Sequence, residues 1–270
     1  MTIGGYAFVL GGGSGISRST SIAFAKEGAR GLLVADINLE AATKTALDSK
    51  AVATNPDFRA EAIQIDVTVQ ESVQHATTHM VETFGRIDYC VNGAAITSSE
   101  FEGVADASFT QFKSVMDVNV NGTFLVLNAV SAAMKSQEPQ VIDDSMPARG
   151  VSRGSIVNLA SVYAFKGLPR EIGYDASKHA IVGMTRTAAL DNVKHNIRVN
   201  CVCPSWVDTP MVARICEKFP SFAQAIQASL PMGRMAFPEE IADAIIFLSS
   251  PKASWVNGSS MMVDGAMSVR

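Results

Sequence analysis

Tyr6-Ala-Phe-Val-Leu10-Gly11-Gly12-Gly13-Ser14-Gly15-Ile16 decides how this chain of 270 residues is read. Residues 6–10 are a short apolar run of strand-forming residues. The glycines after them permit a tight turn, and Ile22, Ala23 and Ala25 within Ser19–Glu27 have helical spacing. Strand, glycine turn and helix in that order form a setting in which free N–H groups at a helix start face a pyrophosphate. Gly11, Ser14, Gly15 and Ile16 are the candidate residues for that contact. The next apolar run, Gly31-Leu-Leu-Val-Ala-Asp36, ends in an acid 21 positions beyond Gly15. A carboxylate there accepts hydrogen bonds from both hydroxyls of an adenosine ribose and repels a 2′-phosphate, which predicts NAD rather than NADP.

Working outward, apolar runs bounded by turns recur at 6–10, 31–35, 60–65, 87–91, 154–159, 197–202 and 260–263, with helical patterns between most of them. That alternation predicts an α/β fold: one Rossmann-type, doubly wound parallel sheet of about seven strands with helices on both faces. The 47% hydrophobic content suits strands buried on both faces. Doubly wound single domains of ~250 residues are common, so residues 1–270 are expected to form one domain. Ser136–Arg153 is polar, contains two prolines and reads as an extended surface loop.

A net charge of −4 argues against a nucleic-acid partner. No apolar run reaches the ~20 residues of a membrane span. The early first strand leaves no room for a signal peptide, and four scattered cysteines fit a reducing compartment, so a cytoplasmic location is expected. Cys201 and Cys203 share one face of a strand, but no second Cys or His pair at ligand spacing accompanies them, so no metal site is expected.

The chemistry gathers later in the chain. Tyr174-Asp-Ala-Ser-Lys178 places a tyrosine and a lysine four positions apart, on one face of a helix. A phenol titrates near ~10 and is a poor base at neutral pH, and a nearby ammonium favours its anion. The strand Gly154–Leu159 runs on to Ser161, 13 positions before Tyr174. The strand 87–91 runs into Asn92-Gly93-Ala94-Ala95, small residues that leave room for a flat ligand, where Asn92 can tie the turn or meet the cofactor. Asn119 sits inside a long helical pattern from Phe109 to Met134, an unfavourable place for asparagine that calls for another reason.

Over essentially its whole length the chain resembles the short-chain dehydrogenase/reductase family. The family's glycine pattern falls on Leu10 to Ser17, its Asn-Asn-Ala-Gly turn on Asn92 to Ala95, and its catalytic tetrad on Asn119, Ser161, Tyr174 and Lys178. Its Pro-Gly segment falls on Pro204 to Pro210. Leu10, Ser17, Gly93, Ala95 and Ser205 depart from the family pattern. The resemblance implies that Asp66 and Val67 contact the adenine, that Ala94 lines the cofactor, and that Val207 and Thr209 hold the nicotinamide carboxamide and phosphate. Tyr174 would exchange the proton, with Lys178 lowering its pKa and holding the nicotinamide ribose. Ser161 would polarise the reacting oxygen, and Asn119 would hold a water leading from Lys178 to solvent.

The implied function is NAD(H)-dependent interconversion of a secondary alcohol and a ketone on an apolar small molecule. Val162 to Pro169 would border the pocket. A substrate lid would lie within 208–237, with Phe219, Phe222, Leu230, Met232, Met235 and Phe237 as candidate contacts. Relatives pair through helices corresponding to Phe109–Met134 and Tyr174–Lys194. Ile181, Val182, Met184, Ala188, Ala189 and Leu190 on the second helix predict a homodimer or homotetramer. Two other readings stay open on the same fold: a non-redox isomerase or dehydratase, and a non-catalytic dinucleotide sensor.

Overall fold

A computed structural model describes residues 3–269. Seven parallel strands form the main sheet in the order β3-β2-β1-β4-β7-β8-β9. They are β1 (Tyr6–Leu10), β2 (Gly31–Asp36), β3 (Arg59–Gln64), β4 (Tyr89–Asn92), β7 (Gly154–Leu159), β8 (Ile197–Pro204) and β9 (Ser260–Val263). Successive side chains of a strand point to opposite faces, and β1 shows the consequence. Ala7 and Val9 pack on one side with Phe24 of α1 (Gly15–Lys26), Ala42 of α2 (Leu39–Val52) and Ile245 of α9 (Pro238–Ser249). Phe8 and Leu10 pack on the other with Met80 of α3 (Gln70–Phe84), Val130 of α5 (Gly122–Ser136) and Ala189 of α6 (Ile172–Val193). Two apolar layers on one sheet explain why the buried strands read as continuous rather than alternating apolar runs.

The chain departs from its sequence reading in three places. The helical pattern from Phe109 to Met134 is two helices, α4 (Phe109–Met116) and α5, joined by a π-helical turn at Asp117–Asn121 that contains Asn119. A π turn adds one residue to the helical ladder, and a 3.6-residue pattern does not register it. The expected loop Ser136–Arg153 holds a small antiparallel pair, β5 (Gln140–Val141) with β6 (Val151–Ser152). Arg149 fastens this hairpin to the body through Pro251 O and Ser254 Oγ, each at 2.7 Å. On α6, Ile181, Val182 and Ala189 are buried against the chain's own sheet, whereas Leu190 and Val193 are exposed.

Strands β1 to β3 run to one side of the sheet and β4 onward to the other. The crevice at this reversal, beyond the carboxyl ends of β1 and β4, is where open parallel sheets bind ligands. The lid region forms α7 (Pro210–Lys218) and α8 (Pro220–Ser229) next to it.

Candidate active site

The turn after β1 is shaped by close approaches. Gly11 has φ of +68°, and a Cβ on it would lie 2.8 Å from the backbone nitrogen of Ala94, so only glycine fits. The side chain of Ser14, the N-cap of α1, makes no capping hydrogen bond, and the first turn carries no acidic residue. Its N–H groups are thus left for a ligand. Asp36 braces the turn as well as facing the cavity: Oδ2 accepts from Gly13 N and Oδ1 from Asn38 N, both at 2.9 Å. Thr209 caps α7 by accepting from Val212 N, and its methyl group lies beside Gly15.

A cavity of about 360 Å³ runs along this end of the sheet. Gly11, Ser14, Gly15, Ile16, Asp36, Asp66, Val67, Ala94, Ser161, Tyr174, Lys178, Val207 and Thr209 all line it. Among its described lining residues, Lys178 is the only cationic side chain. Asn92 and Asn119 do not line it. Asn92 Nδ2 donates to Thr123 Oγ1 at 3.0 Å, leaving its buried Oδ1 without a partner. Asn119 accepts from Ile96 N and donates to Ile96 O and Ser177 Oγ, while Ser177 Oγ donates to Tyr174 O. Both amide hydrogens are committed, so its side chain ties the wall at Ile96 to the helix of Tyr174.

Lys178, 2% exposed, donates to Leu159 O at 2.8 Å, and its Nζ lies 5.4 Å from the Tyr174 ring centroid. Burial pulls its pKa down to about 8. Burial also raises the Tyr174 phenol above its ordinary value; a hydrogen bond with Ser161 opposes this, and the charges of Glu171 and Asp175 add to it. In the protein alone, burial of the phenol thus outweighs any lowering by Lys178. The lysine is itself desolvated and directed at a carbonyl.

The cavity is also lined by Phe101, Tyr163, Leu168, Trp206, Met211, Val212 and Ile215. Of the expected bordering segment only Tyr163 and Leu168 reach the cavity, and burial pushes the Tyr163 phenol up to about 12. The segment 208–237 contributes Thr209, Pro210, Met211, Val212 and Ile215. Phe222, Leu230 and Met235 pack one layer behind, around Tyr163 and Trp206, while Met232 and Phe237 are exposed. Sequence reasoning also missed Phe101, whose ring packs against Phe219 and Phe222, and Glu171 with its partners Thr97 and Ser98. Nothing local marks these residues, because their partners are distant in sequence.

Known proteins resemble the chain over nearly its whole length. The family model described as Enoyl-(Acyl carrier protein) reductase matches residues 11–268. A curated short-chain dehydrogenase of Neurospora crassa, srdC, is 50% identical, covering 98% of this chain and 97% of its own. The chain belongs to the short-chain dehydrogenase/reductase family. A 2,5-dichloro-2,5-cyclohexadiene-1,4-diol dehydrogenase of Sphingobium indicum is 38% identical over 95% of this chain and 94% of its own. The crystal structure of a 3-ketoacyl-(acyl-carrier-protein) reductase from Brucella melitensis complexed with NADH superposes with a TM-score of 0.82. It is 27% identical and covers 97% of this chain and 98% of its own. The chain thus belongs with dehydrogenases and reductases, redox enzymes that use a nicotinamide dinucleotide on small-molecule substrates.

Proposed function

We propose that this protein uses NAD(H) to interconvert a ring-borne secondary alcohol and its ketone. The observation that carries the reading is the meeting of Tyr174, Ser161 and Lys178 in one cavity with Asp36, between walls that are otherwise largely apolar. The turn at Gly11, the uncapped start of α1 and a cavity lining whose one cationic side chain among the described residues is Lys178 fit a dinucleotide without a 2′-phosphate. Gly11, Ser14, Gly15 and Ile16 would hold the pyrophosphate, Asp36 the adenosine ribose, and Asp66 and Val67 the adenine. Ala94, Val207, Thr209 and Lys178 would hold the nicotinamide end. When bound, the nicotinamide supplies the hydride acceptor or donor.

The chain's own residues manage the proton. For reduction, Tyr174 donates its phenolic proton to the substrate oxygen while the Ser161 hydroxyl hydrogen-bonds the same atom. For oxidation, Tyr174 as phenolate takes the alcohol proton. Burial keeps the phenol protonated through neutral pH, so the donor form is the resting one and alcohol oxidation should accelerate as pH rises. The flat aromatic and aliphatic walls, together with the cyclic diol named for the Sphingobium relative, support a ring substrate. Exposed Phe109, Phe124, Leu190 and Val193 on α4, α5 and α6 support a homodimer or homotetramer, and a monomeric sedimentation profile would count against that assembly.

The test is the near-ultraviolet absorbance of reduced nicotinamide with a panel of cyclic ketones and alcohols. Steady oxidation of NADH is expected, with kcat/KM about 100-fold above that for NADPH, because Asp36 faces the extra phosphate as a like charge. Binding without turnover would contradict the redox reading in favour of a sensor or a non-redox enzyme. Equal use of NADPH would contradict the assignment of Asp36.

A further inference from the structure

Glu171 is a buried carboxylate that the reaction described above does not use. It is 1% exposed and starts the helix of Tyr174, three residues before the tyrosine. Its Oε1 accepts from Thr97 Oγ1 at 2.6 Å and its Oε2 from Ser98 Oγ at 2.8 Å. Among the described residues it forms no ion pair, and Arg170, its neighbour in the chain, is exposed. Thr97 lines the cavity, and the wall it belongs to is fastened again one residue earlier by the Asn119 amide on Ile96. An ionised carboxylate taken out of water without a cation is costly, so its retention beside the reacting tyrosine calls for a reason.

We propose that Glu171 is a positioning residue for Tyr174. Its carboxylate clamps the Thr97–Ser98 wall to the start of the tyrosine helix, and its charge opposes formation of the phenolate. The first part follows from the two hydroxyl bonds, which join the substrate wall to α6. The second follows from burial of a carboxylate at the N-cap of the helix, three positions before Tyr174 in the chain. The other groups acting on Tyr174 are Ser161 and Tyr163 from the turn after β7, and Asp175 and Lys178 from α6 itself. Of these, Ser161 favours the anion, while Asp175 and Tyr163 add to the opposition from Glu171. Burial raises the pKa of Glu171 too, the two hydroxyl bonds opposing the rise.

The inference rests on Tyr174 as the proton-transfer group, and the experiment separates the two. Alcohol oxidation is measured against pH for the wild type, Glu171→Gln and the double variant Thr97→Val/Ser98→Ala, each checked for NADH binding. Glu171→Gln should move the alkaline rise in kcat downward by about half a pH unit or more, since a like charge has been removed. The double variant keeps the carboxylate and loses the clamp, so KM should rise about tenfold while substrate-saturated turnover persists. A Glu171→Gln profile that coincides with the wild type, or a double variant with unchanged KM, overturns the inference while leaving the reading of Tyr174 intact. If neither Glu171→Gln nor the double variant gives folded protein that binds NADH, Glu171 is a structural residue only and the inference is overturned. Turnover in a Tyr174→Phe variant would instead remove the reading on which it rests.

Discussion

A lysine sealed inside a protein without a carboxylate partner destabilises the fold until it loses its proton. Lys178 is in that position: it donates to a carbonyl, and burial pulls it down to about 8 from its ordinary value of 10.5. The unfolded chain therefore holds more protons than the folded one between those values. Stability rises with pH across that window, and the gain is lost as pH falls back through 8. Measured by denaturant titration without cofactor, the wild type should gain up to about 3 kcal/mol relative to Lys178→Met between pH 8 and pH 10.5. Parallel stability curves for the two proteins would contradict this account. The Tyr174–Lys178 spacing was legible because four positions on a helix share a face. The weight of desolvation over charge pairing was not legible, because it depends on walls that only the fold assembles.

At the scale of elements, two departures from the family's glycine and asparagine positions explain each other. A Cβ on Gly93, in the turn after β4, would lie 2.1 Å from Ser17 Oγ in α1. The hydroxyl gained at position 17 occupies the space that the missing side chain at 93 leaves. Gly93→Ala should therefore cost about 1–3 kcal/mol through overpacking, and Ser17→Gly should relieve it. A double-mutant cycle should return a coupling of about 1 kcal/mol or more, and simple additivity of the two substitutions would contradict the compensation. Each substitution was visible in the sequence, yet their contact was not, since 76 positions separate them. The π turn at Asn119 was hidden for a different reason: one inserted residue does not disturb an apolar periodicity enough to be seen.

Across the whole molecule, the parallel sheet does most of the positioning. All seven strands point the same way, so the glycine turn, Asp36, Ser161 and the segment from Pro204 emerge at one end, and α6 lays Tyr174 and Lys178 across it. That arrangement was legible because alternating strand and helix patterns admit few topologies once crossovers are right-handed. The cavity walls were less so: within the segment 208–237 the lining residues include Met211, Val212 and Ile215 and not the aromatic residues after them. Periodicity alone does not say which layer of a lid faces inward.

The central claim is that the phenol of Tyr174 carries the proton beside a docked dinucleotide. Its most direct measurement is cyclic-ketone turnover by Tyr174→Phe, with NADH binding followed in parallel by fluorescence. Removal of the proton donor should lower kcat by about 10²–10⁴ and leave NADH affinity within a few-fold of the wild type. Turnover undiminished in a variant that still binds NADH would contradict the account.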